Sequence, residues 1–316
     1  MKSTLLITCS GWVILAMVAT PLTVQAQFIF TTNNGAITIT AYTGLGGVVA
    51  IPSTTNGFSV TSIGSDAFLD HFNLTSVTIP NSVTNIGASA FRGCTGLTNV
   101  TIGNSVTSIG ESAFSGCSSL ASVAIPNSLT RLGDETFTRC TNLTSVTIGN
   151  SVTSIWHYAF GECYSLANIT IPNNVISITD GAFAQCTNLD GVYFQGNAPG
   201  TDMSVFNGDT NATVYYLPGT TGWGAMFDGV PAMLWNPQAQ TSDGNFGVQT
   251  NGFGFNITGS SNLVIVVETC INLANPSWTP VSTNTLNTFI GTNGSSYFSD
   301  SQWTNYPSRF YRLRSP

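Results

Sequence analysis

Charge is what this sequence has least of: Asp, Glu, Lys and Arg make up 7% of its 316 residues, against about 25% in an ordinary soluble domain. That departs from cytosolic composition. Lysine occurs once, at Lys2, and the arginines form no basic cluster beyond Arg309, Arg312 and Arg314. With a formal net charge of −7 the chain has too few cations to neutralise a run of phosphates, the source of most nucleic-acid affinity. No nucleic-acid partner is expected. Histidine is as scarce, and His71 and His157 lie near no serine elbow, so a hydrolytic triad has no support. Long apolar runs are missing past the amino terminus. The most apolar stretch there, Leu263 to Val267, has five residues, whereas a helix needs about 20 to cross a bilayer. Hydrophobic residues nonetheless reach 42% and aromatics 11%, too many for a disordered chain. A packed core is expected.

The first 26 residues read as an export signal. Lys2 precedes the apolar run Gly11 to Ala19, Pro21 interrupts it, and Val24-Gln25-Ala26 supplies small residues at a cleavage spacing. The expectation is a secreted or cell-surface protein with no transmembrane segment after signal removal.

One period dominates the middle of the chain. Phe68, Phe91, Phe114, Phe137, Phe160 and Phe183 are each 23 residues apart, and Cys94, Cys117, Cys140, Cys163 and Cys186 keep the same step. A fixed period of this size predicts a solenoid. The unit reads Leu-x-x-Val-x-Ile-(Pro/Gly)-Asn-Ser-Val-Thr-x-Ile-Gly-x-x-Ala-Phe-x-x-Cys, as from Leu97 to Cys117. In Leu74 to Ile79, Val77 and Ile79 alternate with Ser76 and Thr78, the pattern of a short strand with one buried face. The three- and four-residue spacing in Ala-Phe-x-x-Cys predicts a short helical turn closing each unit.

These residues resemble the BspA-type, or Treponema pallidum-type, leucine-rich repeats, whose units end in Ile-Gly-x-x-Ala-Phe-x-x-Cys. The resemblance spans roughly Tyr42 to Gln195. It departs from the pattern where His71 replaces the first Cys and where Trp156 and Thr179 replace Gly. Pro80, Pro126 and Pro172 alternate with Gly103 and Gly149, which suggests duplication of a two-repeat unit. The resemblance implies export or surface display and adhesion to host or matrix proteins.

The expected fold is therefore a repeat solenoid of leucine-rich units, with short parallel β-strands and short helical turns, followed by a small antiparallel β-sandwich-like domain. An N-terminal cap and first repeat would occupy 27–59, the repeats 60–195, a C-terminal cap 196–235, a linker 236–244 and the β-domain 245–316. The cap is inferred because residues 196–235 lose the repeat register while staying aromatic. The β-domain is inferred from strand-like runs Phe253 to Ile257, Leu263 to Thr269 and Arg309 to Leu313 between Gly, Asn and Ser turns. It resembles carboxy-terminal β-modules of other exported bacterial proteins.

Candidate sites emerge from the repeat columns. The outward strand positions Ser76, Asn99, Ser122, Ser145 and Asn168, and next to them Thr78, Thr101, Thr147 and Thr170 with Ala124 among them, form a lattice of small uncharged groups. They are the expected ligand-binding residues. Trp156, His157 and Tyr158 put three rings where other units carry small or polar residues, a possible aromatic patch. Glu111, Asp134 and Asp180 share one column, with His157 between them and Glu135 adjacent. Stacked carboxylates suit Ca²⁺, but no Asp-x-Asp loop surrounds these, so a solvated face is expected and no metal, cofactor or catalytic residue is assigned. The cysteine column, beside buried Phe, predicts buried reduced thiols.

The expected function is recognition or adhesion, with an extracellular protein or polysaccharide on the strand face. The alternative is a non-catalytic structural or ice-binding surface, because Thr arrays on a β-solenoid can order water. A carbohydrate-active enzyme is the weakest reading: acid and base groups would have to converge on a cleft with their pKa values pushed apart, and one line of carboxylates does not do so.

Overall fold

A computed structural model describes residues 27–202, 204–250, 252–259, 264–286 and 294–314; the expected signal segment lies outside them. The repeats form a β-solenoid in which each coil contributes two short strands. The first ladder stacks Gly47–Ala50, Leu74–Thr78, Asn99–Thr101, Ser122–Ala124 and Ser145–Thr147 in parallel. It resumes with Asn168–Ile171, Gly191–Phe194, Thr213–Tyr216 and Val230–Leu234. A second ladder, not anticipated from the sequence, stacks Ala36–Tyr42, Phe58–Ile63, Asn85–Ile86 and Ser108–Ile109, then Arg131–Leu132, Ser154–Ile155, Ser177–Ile178 and Gly200–Thr201. Its two-residue strands are too short to leave an alternating pattern.

The side chains pointing inward make one continuous core. Phe68 through Phe183 are fully buried and stack face to face, with centroids 5.1 Å apart for Phe91 and Phe114 and 5.4 Å for Phe114 and Phe137. At the amino end Phe28–Asn33 pairs antiparallel with Ala36–Tyr42. The hairpin turn is Asn34-Gly35, both at positive φ, the two-residue turn whose twist suits a hairpin. It covers the first coil's open edge.

The Ala-Phe-x-x-Cys segment is not helical, and no α-helix occurs among the described residues. Its amides alternate between two destinations. Ala90, Arg92 and Cys94 donate three residues back, to Gly87, Ser89 and Phe91, whereas Ser89, Phe91 and Gly93 donate to Glu111, Ala113 and Ser115 of the next coil. The alternation requires left-handed residues: Ser89, Ser112, Glu135 and Tyr158 have φ of 52°, 55°, 52° and 49°. A side chain disfavours that conformation, and here bonds to both coils hold it.

The periodic signal also runs further than the sequence suggested. Phe206 lies one 23-residue step beyond Phe183 and stacks on it at 5.7 Å, and the first ladder continues to Val230–Leu234. Residues 196–235 thus retain the coil architecture. At Gly103 and Gly149 of that alternation a Cβ would meet the carbonyl oxygen of Pro80 or Pro126 at 2.6 or 2.5 Å, so these two positions exclude a side chain.

Past the solenoid, Gln238–Gln240, Gly247–Gln249 and Gly294–Asp300 pair antiparallel with Gly252–Gly259, and Thr279–Thr285 and Phe310–Arg314 flank Val264–Cys270. Gln238–Gln240 falls in the stretch expected to be a linker, and it is a strand of this carboxy-terminal module.

Candidate functional site

On the first ladder the outward positions align in two columns. Ser76 pairs with Asn99 and Thr78 with Thr101, Asn99 with Ser122, Ser122 with Ser145, and Ala124 with Thr147. Val77, Val100 and Val123 point the other way and are buried. Ser76 is half-buried; Thr78, Asn99, Thr101, Ser122, Ala124, Ser145 and Thr147 are exposed. Asn168 and Thr170 are only half-exposed, because the face closes beyond them. Thr170 pairs with Tyr193 and Tyr193 with Tyr215. Both tyrosines are buried among Phe255, Ile257, Ile265, Val267, Leu286 and Phe298 of the carboxy-terminal module. That module therefore sits on the continuation of the strand face and limits the open lattice to its amino-terminal part. Burial pushes the Tyr193 hydroxyl above its ordinary pKa.

A cleft of about 290 Å³ remains at this junction, lined by Tyr193, Tyr215, Trp235, Arg312 and Arg314 among others. Both arginines pair with Glu268, at 2.6 and 2.7 Å.

The expected aromatic patch is not one surface. Trp156 faces the second ladder, where its Nε1 donates to Ser154 Oγ at 3.2 Å and its ring lies under the Arg131 guanidinium at 4.2 Å. His157 is exposed and contacts Asp180, through the backbone oxygen at 3.0 Å and a carboxylate oxygen at 3.7 Å. Tyr158 packs edge-on to His157, centroids 4.6 Å apart, over Gly161 and Gly181, where its ring atoms occupy the space a Cβ would need.

In the acidic column, backbone carbonyls of Glu111, Asp134, His157 and Asp180 accept bonds from the preceding coil. Glu135 accepts from Ser112 at 3.2 Å. Among the described residues, no group of three His, Cys, Asp or Glu side chains is placed to hold a metal ion.

The cysteine column is built into the stack. All five thiols are buried and free, and each Sγ donates to a Phe carbonyl 26 residues earlier, from Cys94 to Phe68 at 3.0 Å through Cys186 to Phe160 at 3.1 Å. Burial pushes the Cys94 thiol up to about 12. Asp209 extends the column by one 23-residue step. It is buried, with neither carboxyl oxygen hydrogen-bonded among the described residues, and burial pushes it up to about 7. Sequence reasoning missed it because the column was followed as cysteine rather than as a position.

Two parallel ladders around a column-built core define a leucine-rich-repeat β-solenoid with a carboxy-terminal β-module. The BspA type Leucine rich repeat region matches six times over residues 61–190. A leucine-rich repeat protein of Treponema pallidum is similar at 31% identity and TM-score 0.52, covering 61% of this chain and 85% of that one. The chain belongs to the BspA-type leucine-rich repeat family. A leucine-rich repeat protein of Bacteroides capillosus is 30% identical over 39% of this chain and 94% of its own, TM-score 0.34. A leucine rich cell surface protein of Faecalibacterium prausnitzii is 25% identical over 60% and 80%, TM-score 0.36. No curated protein matches the sequence.

Proposed function

We propose that this is a non-catalytic recognition and adhesion protein, secreted or held at the cell surface, that binds an extracellular protein or polysaccharide through the first ladder. The observation that carries the reading is the registered pair of columns running from Ser76 and Thr78 to Ser145 and Thr147. It offers small hydrogen-bonding groups at a strand spacing of about 4.8 Å, with no charge to orient water or counter-ions. The partner meets a face built on rigid strands and bounded at one end by the module over Tyr193 and Tyr215. Ala124 interrupts the threonine column, and Ser145–Thr147 does not pair with Asn168–Ile171. A long uninterrupted lattice of the kind that orders ice is therefore not the favoured use.

The test replaces Thr101 and Thr147 with Lys, which sets charged arms across the lattice and leaves Val100 and Ile102 untouched. A glycan and matrix-protein array identifies ligands of the wild type. Binding to them should fall at least tenfold in this variant and stay level in Glu111→Gln with Asp134→Asn. The opposite pattern would move the site to the acidic column.

A further inference from the structure

Adjacent coils are tied at the second ladder by two backbone hydrogen bonds. Thr107 and Gly110 donate to Thr84 and Ile86 at 2.9 and 2.8 Å, and Thr153 and Trp156 donate to Thr130 and Leu132 at 2.8 and 2.9 Å. Between Ser108–Ile109 and Arg131–Leu132 both bonds are missing: among the described residues the amides of Thr130 and Gly133 reach no backbone acceptor, and the two strands do not pair. The glycines of this column report the same gap. A Cβ at Gly64, Gly87 or Gly110 would lie 3.0, 2.5 or 2.4 Å from the backbone of the preceding coil, whereas at Gly133 the nearest atom, the Ile109 carbonyl oxygen, is 3.4 Å away, a modest widening. The coils stand apart at this step.

The sequence supplies the cause. Leu129 replaces the Val found at Val106 and Val152, Leu132 replaces the Ile of Ile109 and Ile155, and Thr136 replaces the Ala of Ala113 and Ala159. All three are buried. Leu129 and Thr136 enlarge the core and Leu132 changes its shape, and overpacking is relieved by backbone movement. The opposite side of the coil stays closed, with Phe114 stacked on Phe137 at 5.4 Å and its amide bonded to Thr136 at 2.9 Å. The result is a wedge. It cannot admit an inserted strand, which would need its neighbours about 10 Å apart.

The wedge opens on a cleft of about 340 Å³. Thr130 lines the cleft, and its amide occupies the position from which the other coils bond across the step, whereas Gly133 lies behind the lining, against the Ile109 carbonyl oxygen. Arg131 is exposed, makes no ion pair among the described residues, and is held over Trp156 at 4.2 Å. Ser108, Thr130 and Ser154 add hydroxyls, and no carboxylate lines the cleft. A guanidinium with the Thr130 amide beside it makes a set of donors suited to an anion, in a chain of net charge −7 where such a set is not a by-product of composition.

We propose that this opening is a second binding site, separate from the first ladder, that takes a carboxylate-bearing sugar of an acidic polysaccharide. The carboxylate meets the free edge of Arg131 and the Thr130 amide, and the sugar hydroxyls meet Ser108 and Ser154. A lining of hydroxyls and one ring, without apolar pockets for side-chain anchors, favours a sugar over a peptide.

Calorimetry of the full chain with a galacturonate tetramer, a neutral galactose tetramer and a tetraglutamate peptide tests this. The galacturonate tetramer alone should bind, more weakly at high salt, and should slow hydrogen exchange at the Thr130 amide. Arg131→Gln should weaken binding at least tenfold. So should the combined Leu129→Val, Leu132→Ile and Thr136→Ala, which keeps Arg131 and closes the wedge, with the Thr130 and Gly133 amides becoming as protected as Thr107 and Gly110 without ligand. Thr101→Lys with Thr147→Lys should leave it unchanged. No binding of the galacturonate tetramer, equal binding of the neutral tetramer or the peptide, or unchanged affinity in either of the first two variants would overturn the proposal.

Discussion

Asp209 stands one 23-residue step past Cys186 in the same buried column, and where each thiol donates to a Phe carbonyl, neither of its carboxyl oxygens finds a partner. The folded state holds that proton up to about pH 7, against an ordinary value of 3.8. Between these values the folded chain carries more protons than the unfolded one, so stability falls as pH rises and levels off above about 7. Urea unfolding at pH 5 and pH 8 should show the wild type less stable at pH 8. Asp209→Asn should flatten the difference, and Asp209→Cys, restoring the column's own residue, should raise stability at pH 8. An unchanged slope in Asp209→Asn would exclude this carboxyl as its source.

Phe114 is sandwiched between Phe91 and Phe137. Phe114→Ala should cost about 3–5 kcal/mol in denaturant unfolding, because both stacked neighbours are held by their own coils and collapse only partly into the gap. A loss below about 1 kcal/mol would mean that the rings are not the core of the stack.

The ladder thiols are buried; at Cys94, Cys117, Cys140 and Cys163 burial holds the proton on sulfur, and at Cys186 the hydrogen bond with Cys163 does so, with burial adding to it. Since the thiolate is the reactive form, iodoacetamide at pH 8 should label none of the five in the native protein and all of them in urea. Mass spectrometry reads the outcome. Rapid labelling of any of the five in the folded state contradicts the packing.

Glu268 shows an asymmetry. Its side chain is 6% exposed, whereas those of its partners Arg312 and Arg314 are 47% and 38% exposed. Removing both arginines strands a buried carboxylate and should destabilise the carboxy-terminal module by about 3–5 kcal/mol. Glu268→Gln leaves two cations that can turn to water, and should cost less. Thermal unfolding of the two variants should rank them in that order; the reverse rank would show that the arginines, not the carboxylate, are the desolvated partners.

Much of this protein was legible in its sequence. The 23-residue return of Phe, Cys, Val and Ile fixes which side chains point inward, and a unit this short can bury them only by stacking. Alternation in Leu74 to Ile79 fixed the outward columns for the same local reason. What tertiary structure decided is where neighbouring coils meet and how closely. The spacing in Ala-Phe-x-x-Cys suits a helix when one unit is read alone, but half its amides bond to the next coil. Tertiary structure also set Tyr193 and Tyr215 on the outward side of the first ladder, in line with Thr170, and brought a module some 40 residues further on to cover them. Leu129, Leu132 and Thr136 are conservative changes in any one column. Only the fold sets all three inside the coil whose step is unpaired beside Arg131, because packing sums over neighbours that a linear period does not bring together.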